Sequence, residues 1–368
     1  MKKYSIAMII LIVCFVFSGF ALEYKGISYE QWKDILEKGN REERALAIEA
    51  IGAVGAPDSE DLLIPYLQSE DYQMKFNAVW ALGQIRSTKA AEEICWMLGT
   101  DNDPRIDGAL VNIGEPAIQW LIVKLKLAAL LENYEEGTRI ARIMVDIQSP
   151  EGLAEVAAFL SKLLSDPERK DEAKNMLSQI GDKAVDPLMI SLKTTYNKQL
   201  KIDILKTLVL IGNEKSLDTF YSFVSDTDPT IRTIVANALG KIKSTSNTDF
   251  LIAMLRDTDE NVRTQAIVSL GELQDSKSVV YLLSSLKDEN PLIRAMAAYA
   301  LGRIQDVRAV YPLINLLDDT TTMKAVDPKT GKTTEQKVLD FAARALVRIN
   351  DPRGIQELES RGIKILQE

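Results

Sequence analysis

The sequence predicts an all-α protein built as an array of stacked helix pairs, and three observations carry that expectation. The phrase DTDPTIRTIVANALGKI, Asp226 to Ile242, returns 31 residues later as DTDENVRTQAIVSLGEL and again as KDENPLIRAMAAYALGRI, and self-similarity at such a period marks a repeat array. Within each copy the apolar residues keep helical spacing, as in Ile231, Val235, Ala238 and Leu239, while the two-residue alternation of a strand is absent. A cap-type residue stands at a fixed distance ahead of each copy's glycine. Asn40, Asp71, Asp228, Asp259 and Asn290 each lie 12 residues before it, and Asp103 plays the same part before Gly114. Such side chains accept from the orphan N–H groups of a helix's first turn.

The first element is a leader. Lys2 and Lys3 precede an uncharged apolar run, Ser5 to Ala21, which closes on Gly19-Phe20-Ala21; this is the form of a secretory signal peptide, residues 1–21, cut after Ala21. Two rival readings are an uncleaved membrane anchor, because the run approaches the length of a span, and lipid attachment at Cys14, against which stands the bulky Val13. After cleavage only Cys95 remains, so no internal disulfide is expected in an oxidising compartment. Residues 22–40 then hold a capping helix, since Ser28-Tyr29-Glu30-Gln31 reads as a capping box ahead of Trp32.

The array follows over residues 41–352. Its register glycine falls at Gly52, Gly83, Gly114, Gly181, Gly212, Gly240, Gly271 and Gly302, with weaker counterparts near Asp146 and Val347. About ten two-helix units result. The second helix of each unit keeps register too: Ile64, Cys95, Ile252, Leu283 and Ile314 stand 12 residues past their glycines, which makes Cys95 a small buried hydrophobe. Irregular units occupy 115–200, where the second helix starts sooner after Gly114 and Gly181. An insertion at 321–334, rich in threonine with Asp327-Pro328 and Gly331, reads as an exposed loop or short hairpin. Residues 353–368 form a C-terminal cap or tail.

The D-x-x-(V/I)-R-x-x-A-x-x-A-L-G phrase, as Asp228 to Gly240 and Asp259 to Gly271, resembles the HEAT repeat of the subtype first noticed in phycobilin lyases. The resemblance covers roughly residues 40 to 350. It implies a right-handed superhelical α-solenoid with first helices outside and second helices lining a concave groove, in a superfamily of pigment lyases, modifying enzymes and plain scaffolds. It further implies a ladder between repeats, with Asp228 and Asp259 as its aspartates and Arg232, Arg263 and Arg294 as its arginines. Asn290 stands in for the third aspartate and Lys75 for an earlier arginine. Cytoplasmic pigment attachment sits badly with an export signal.

Chemistry is sparsely signalled. The chain has no histidine, which removes His-based general-base catalysis, Ser-His-Asp triads and His metal ligation. There is no P-loop or dinucleotide fingerprint, and DTDPT and DNDPR lack the closing glutamate of a calcium loop. No catalytic residue, cofactor or metal site is assigned. A net charge of −9, becoming −11 without Lys2 and Lys3, offers nothing to phosphate backbones, so nucleic acid is not an expected partner. Membrane contact is expected only through the leader or an uncleaved anchor.

Candidate binding residues emerge from using the repeat as its own control. Trp96 lies 13 past Gly83, where other units have Pro65, Ala253, Ser284 and Asn315. Position 10 carries Phe250 and Tyr281, and Trp120 reaches it when the last leucines of the helices are aligned. Aromatics that interrupt a small or polar stripe are what a binding hot spot uses, and packing between adjacent repeats is the competing reading. The expectation is an exported scaffold or adaptor that binds a protein in a periplasmic or cell-envelope assembly. The alternatives are an enzyme, or an enzyme's accessory subunit, with a carboxylate-based site in the groove, and a purely architectural array.

Overall fold

The computed structural model of the chain describes residues 23–244, 246–326 and 333–363; the expected signal segment 1–21 lies outside them. The chain divides into two compact units, Met1–Phe159 and Leu160–Glu368. Each is a stack of antiparallel helix pairs.

The first unit opens with a two-residue-per-strand hairpin, Glu23–Tyr24 against Ile27–Ser28, where the sequence had given only a helix. The Trp32 indole N–H donates to the Tyr24 carbonyl at 3.1 Å and ties the hairpin to helix Tyr29–Lys38, which begins at the Ser28–Gln31 capping box. Four pairs follow. Their first helices are Arg41–Val54, Tyr72–Gln84, Pro104–Ile113 and Tyr134–Ile147; their second helices are Ser59–Leu63 with the 3-10 turn Ile64–Gln68, then Ala91–Trp96, Glu115–Leu130 and Pro150–Leu163, the last of which crosses the division after Phe159. The second unit carries six pairs. Its first helices are Lys170–Ile180, Lys198–Ile211, Pro229–Lys241, Glu260–Leu273, Pro291–Ile304 and Val338–Ile349, answered by Val185–Thr194, Leu217–Ser222, Asn247–Met254, Val279–Ser285, Val310–Leu316 and Pro352–Ser360. The last of these buries Leu358 and completes the tenth repeat, so the array runs past residue 352 to Ser360. Between the ninth and tenth pairs, Thr322–Val326 and Thr333–Lys337 pair antiparallel; residues 327–332 of the insertion lie outside the described residues.

Asn40, Asp71, Asp103, Asp228, Asp259 and Asn290 each cap a first helix, their side-chain oxygens accepting from backbone N–H groups two or three residues on. The register glycines, by contrast, serve two different purposes. Gly52, Gly83, Gly240, Gly271 and Gly302 lie inside helices at the crossing with the next first helix. A Cβ on Gly83 would meet Ala109 Cα at 2.6 Å, and one on Gly302 would meet Ala345 Cα at 2.7 Å. Gly114, Gly181 and Gly212 instead have φ of +76°, +64° and +69° and end their helices in a conformation glycine adopts without a Cβ penalty.

The arginine ladder runs between repeats. Arg232 grips Asp257 with Nε and Nη2, both at 2.7 Å, and donates through Nη1 to the Asp226 carbonyl at 2.7 Å. Arg263 repeats the pattern, to the Asp257 carbonyl at 2.9 Å and to Asp288 at 3.6 Å; Arg294 reaches the Asp288 carbonyl and Asp319, each at 2.7 Å. None of the three pairs with its own cap. The acceptor is the residue two before the next repeat's cap, or Asp319 at the start of the insertion. Asp257 and Asp288 also accept from the cap residue's N–H at 2.9 Å, so one carboxylate fastens an arginine and shapes the turn.

The caps form a second row. The first residue of one first helix binds the cap of the next repeat: Arg41 to Asp71, Tyr72 to Asp103 and Lys198 to Asp228. At the eighth repeat that residue is Glu260, and Asn290 answers by donating its amide at 2.7 Å.

Two predictions follow from this packing. A methyl group at Gly302 favours helix by about 1 kcal/mol, but collision with the Ala345 backbone outweighs it, as overpacking generally costs about 1–3 kcal/mol; Gly302→Ala is expected to lower the melting temperature, and a rise would show the helices to be further apart. The Arg232 hydrogen bonds hold the Asp257 carboxyl below the usual carboxylate range. A folded pKa below the unfolded value stabilises above about pH 4 and loses that stabilisation as pH falls through the folded value. Asp257→Asn should therefore cost about 1–3 kcal/mol in urea denaturation at neutral pH, and the gap from the parent should narrow in acid; a gap independent of pH would refute the pairing.

Candidate functional site

Helix Glu115–Leu130 is the place where the repeat pattern breaks most visibly. The left-handed turn at Gly114 ends one helix and, with Pro116 in the first turn, starts the next without a linker. The helix is 16 residues long, against 6 for the second helix before it. Its inner row, Ala117, Ile118, Leu121, Ile122, Leu125 and Ala128, is buried. Its outer row is apolar too, with Val123 48%, Leu127 38% and Leu130 78% exposed, followed by Leu131 at 67%. An apolar row is ordinarily turned to the core; here it meets water, with Gln119 and Lys126 exposed beside it.

Helix Ala91–Trp96 packs beside it and presents Trp96, 43% exposed. Beneath that indole is Lys124, only 6% exposed, with Nζ 5.2 Å from the ring centroid. The same ammonium is paired to Glu136 at 2.9 Å and donates to the Leu98 carbonyl. A buried ammonium is tolerable only when so enclosed. Gly99, with φ +83°, completes the enclosure, because a Cβ there would lie 2.5 Å from the Glu136 carboxylate. Cys95 lies in the same layer, and burial pushes its thiol up to about 12, so it is no thiolate nucleophile.

Charge is distributed unevenly along the chain. Residues 23–159 carry 24 Asp and Glu against 13 Lys and Arg, whereas residues 160–368 carry 29 of each. Around the exposed row stand the exposed acids Glu92, Glu132 and Glu135. The neighbouring cations are engaged, Lys124 by Glu136 and Lys126 by Glu155 at 2.8 Å. Among the described residues no three His, Cys, Asp or Glu side chains converge as a metal site.

A family model described as HEAT repeats matches residues 29–114, 185–267 and 248–325. The chain belongs to the HEAT-repeat family. Solved structures share its helix stacking: Kap121p described as bound to Pho4p is 13% identical with a TM-score of 0.56 over 92% of this chain. Kap121p bound to Nup53p gives 13% and 0.55 over 92%. The karyopherin Kap121p bound to the extreme C-terminus of the protein phosphatase Cdc14p gives 13% and 0.53 over 92%. This HEAT-repeat chain spans 43–44% of those chains, and the likeness is one of fold. No curated protein matches it.

Of the four aromatic positions singled out from this HEAT array, Trp96 and the half-buried Trp120 lie on packed neighbouring helices of the first unit. Phe250 and Tyr281 lie in the second unit. Phe250 stacks on Tyr221 at 4.4 Å with an interplanar angle of 18°, a contact between consecutive second helices, and Tyr281 is exposed. Sequence reasoning passed over Val123, Leu127, Leu130 and Leu131. Their signal is the spacing Trp120, Val123, Leu127, Leu130, which follows the 3- and 4-residue steps of one helix face.

Replacing Glu136 by Met leaves the buried Lys124 ammonium without its anion and is expected to cost about 3–5 kcal/mol, most of it recovered in Lys124→Met/Glu136→Met. Urea denaturation of the two variants checks this. Equal losses in the single and double variants would show the two charges to be uncoupled.

Proposed function

We propose that the protein is an exported scaffold that holds a partner protein on the second-helix face of its first unit, within a periplasmic or cell-envelope assembly. The observation that carries this reading is the outer row of helix Glu115–Leu130, an apolar face left in water beside an exposed tryptophan that a buried lysine holds from beneath. Solvent-facing apolar area of this kind marks an interaction surface, and a fixed aromatic contributes contact area at little entropic cost. Kap121p, which shares the helix stacking, is described in complex with other proteins, which supports the same use of the fold here. The leader composition, Lys2 and Lys3 ahead of the run ending at Ala21, supports export. The ladder carboxylates support construction rather than acid–base chemistry, since Asp257, Asp288 and Asp319 are each occupied by an arginine. The likeness to the phycobilin-lyase subtype is, on this reading, a likeness of the repeat alone.

A photo-crosslinking residue placed at Leu127 in the cell is expected to give a discrete protein adduct in the periplasmic or envelope fraction, while the same residue at exposed Leu210 gives none. Intact mass should show residues 1–21 removed. Recovery of the uncut chain from the cytosol, or absence of an adduct specific to position 127, would overturn the proposal.

A further inference from the structure

The proposed binding face also carries information about what it binds. Trp120, Val123, Leu127 and Leu130 run along the helix axis for about 15 Å at 1.5 Å per residue, with Trp96 alongside, a row the length of about three helical turns. Ridges of this kind take the ridges of a second helix, read by residues at i, i+3, i+4 and i+7 of the incoming segment.

The charge around the row points to the flanks of that segment. Glu92 stands one helical turn before Trp96, Glu132 directly follows Leu131, and Glu135 lies in the first turn of Tyr134–Ile147. All three are exposed and have no ion-pair partner among the described residues. The two nearest lysines are already neutralised by Glu136 and Glu155. These three acids are therefore uncompensated, in a unit whose acids outnumber its bases 24 to 13. A second copy would bring the same acids to the same place, and an anionic lipid surface is repelled by them. We infer that the face of Trp96, Trp120, Val123, Leu127, Leu130 and Leu131 receives a basic amphipathic helix of a partner protein, leucine-type side chains inward and lysine or arginine along both edges. This rests on the reading of the face as a protein-binding surface and adds the chemistry of the occupant.

The test uses the purified protein and three labelled 18-residue peptides: a Leu/Lys sequence with helical apolar spacing, the same composition scrambled, and a Leu/Glu counterpart. Fluorescence anisotropy should show the ordered Leu/Lys peptide binding at least tenfold more tightly than either control, with a gain in helical circular dichroism on binding. Val123→Asp/Leu127→Asp, both at exposed positions, should leave the melting temperature unchanged and weaken binding at least tenfold. Glu132→Lys/Glu135→Lys should weaken it and flatten its dependence on salt. The inference is overturned if the scrambled or acidic peptide binds equally, if the Leu127 substitution has no effect, or if the patch substitutions abolish a dimer or vesicle binding instead. An adduct at Leu127 whose crosslinked segment is neutral or acidic would sink this inference and leave the scaffold standing. Absence of any adduct in cells, with the ordered peptide bound at Leu127 in vitro, would do the reverse.

Discussion

Two helices bring their backbones into contact only where one of them has no side chain. In this protein that condition recurs at Gly83 against Ala109, Gly271 against Ala300 and Gly302 against Ala345, and the repeat spacing depends on it. Once consecutive first helices are held at that distance, their N-termini come into line. The arginine four residues after one cap then reaches the aspartate two residues before the next, and the first residue of one helix reaches the following cap. The electrostatic rows follow from the steric contact, and they add direction to it: Arg232, Arg263 and Arg294 all reach toward the C-terminal neighbour. Glutamine side chains extend the same logic at the other helix end, Gln274 donating to the Arg303 carbonyl and Gln305 to the Arg348 carbonyl.

The candidate site arises where this arrangement gives way. At Gly114 the glycine no longer serves the crossing but ends the helix with a positive φ. The second helix therefore begins at once and runs to Leu130, while its predecessor ends at Trp96. The extra turns outrun the packing available and leave leucines in water. A surface of flexible leucines alone would be poorly defined; the Lys124–Glu136 pair gives it a fixed point, since the carboxylate cannot leave without stranding the buried ammonium. Burial, charge pairing and exposure thus meet within a few residues.

Much of the fold was legible because its determinants are local. Caps at Asp228 or Asn290, prolines at the first helical position and the apolar spacing of the helices are read from neighbouring letters. The two roles of glycine were not legible, because Gly83 and Gly114 follow similar letters and differ only in whether a following helix leans on them. The acceptors Asp257, Asp288 and Asp319 were not legible because the ion pairs join residues 25 apart, and the sequence places a cap aspartate or asparagine closer to each arginine. The outer row of Glu115–Leu130 was hidden by the inner one: with apolar residues on both sides of the helix, periodicity weakens. Trp96 stands out because its sister repeats lack it and is exposed, whereas Phe250 stands out the same way and stacks on Tyr221; comparison among repeats detects the unusual residue without telling surface from contact.

The Glu260–Asn290 pair carries one more implication. Elsewhere in the cap row a cation or hydroxyl on one helix meets a carboxylate on the next; here the carboxylate is on the earlier helix and the cap has become an amide donor. An aspartate at 290 would place two anions together, and a lysine at 260 would face a donor. The inversion makes the joint between the eighth repeat and the ninth a matched lock, different in sense from the others. Repeats that look interchangeable by their letters are therefore not so at this joint, where the polarity of the seam admits one order of neighbours.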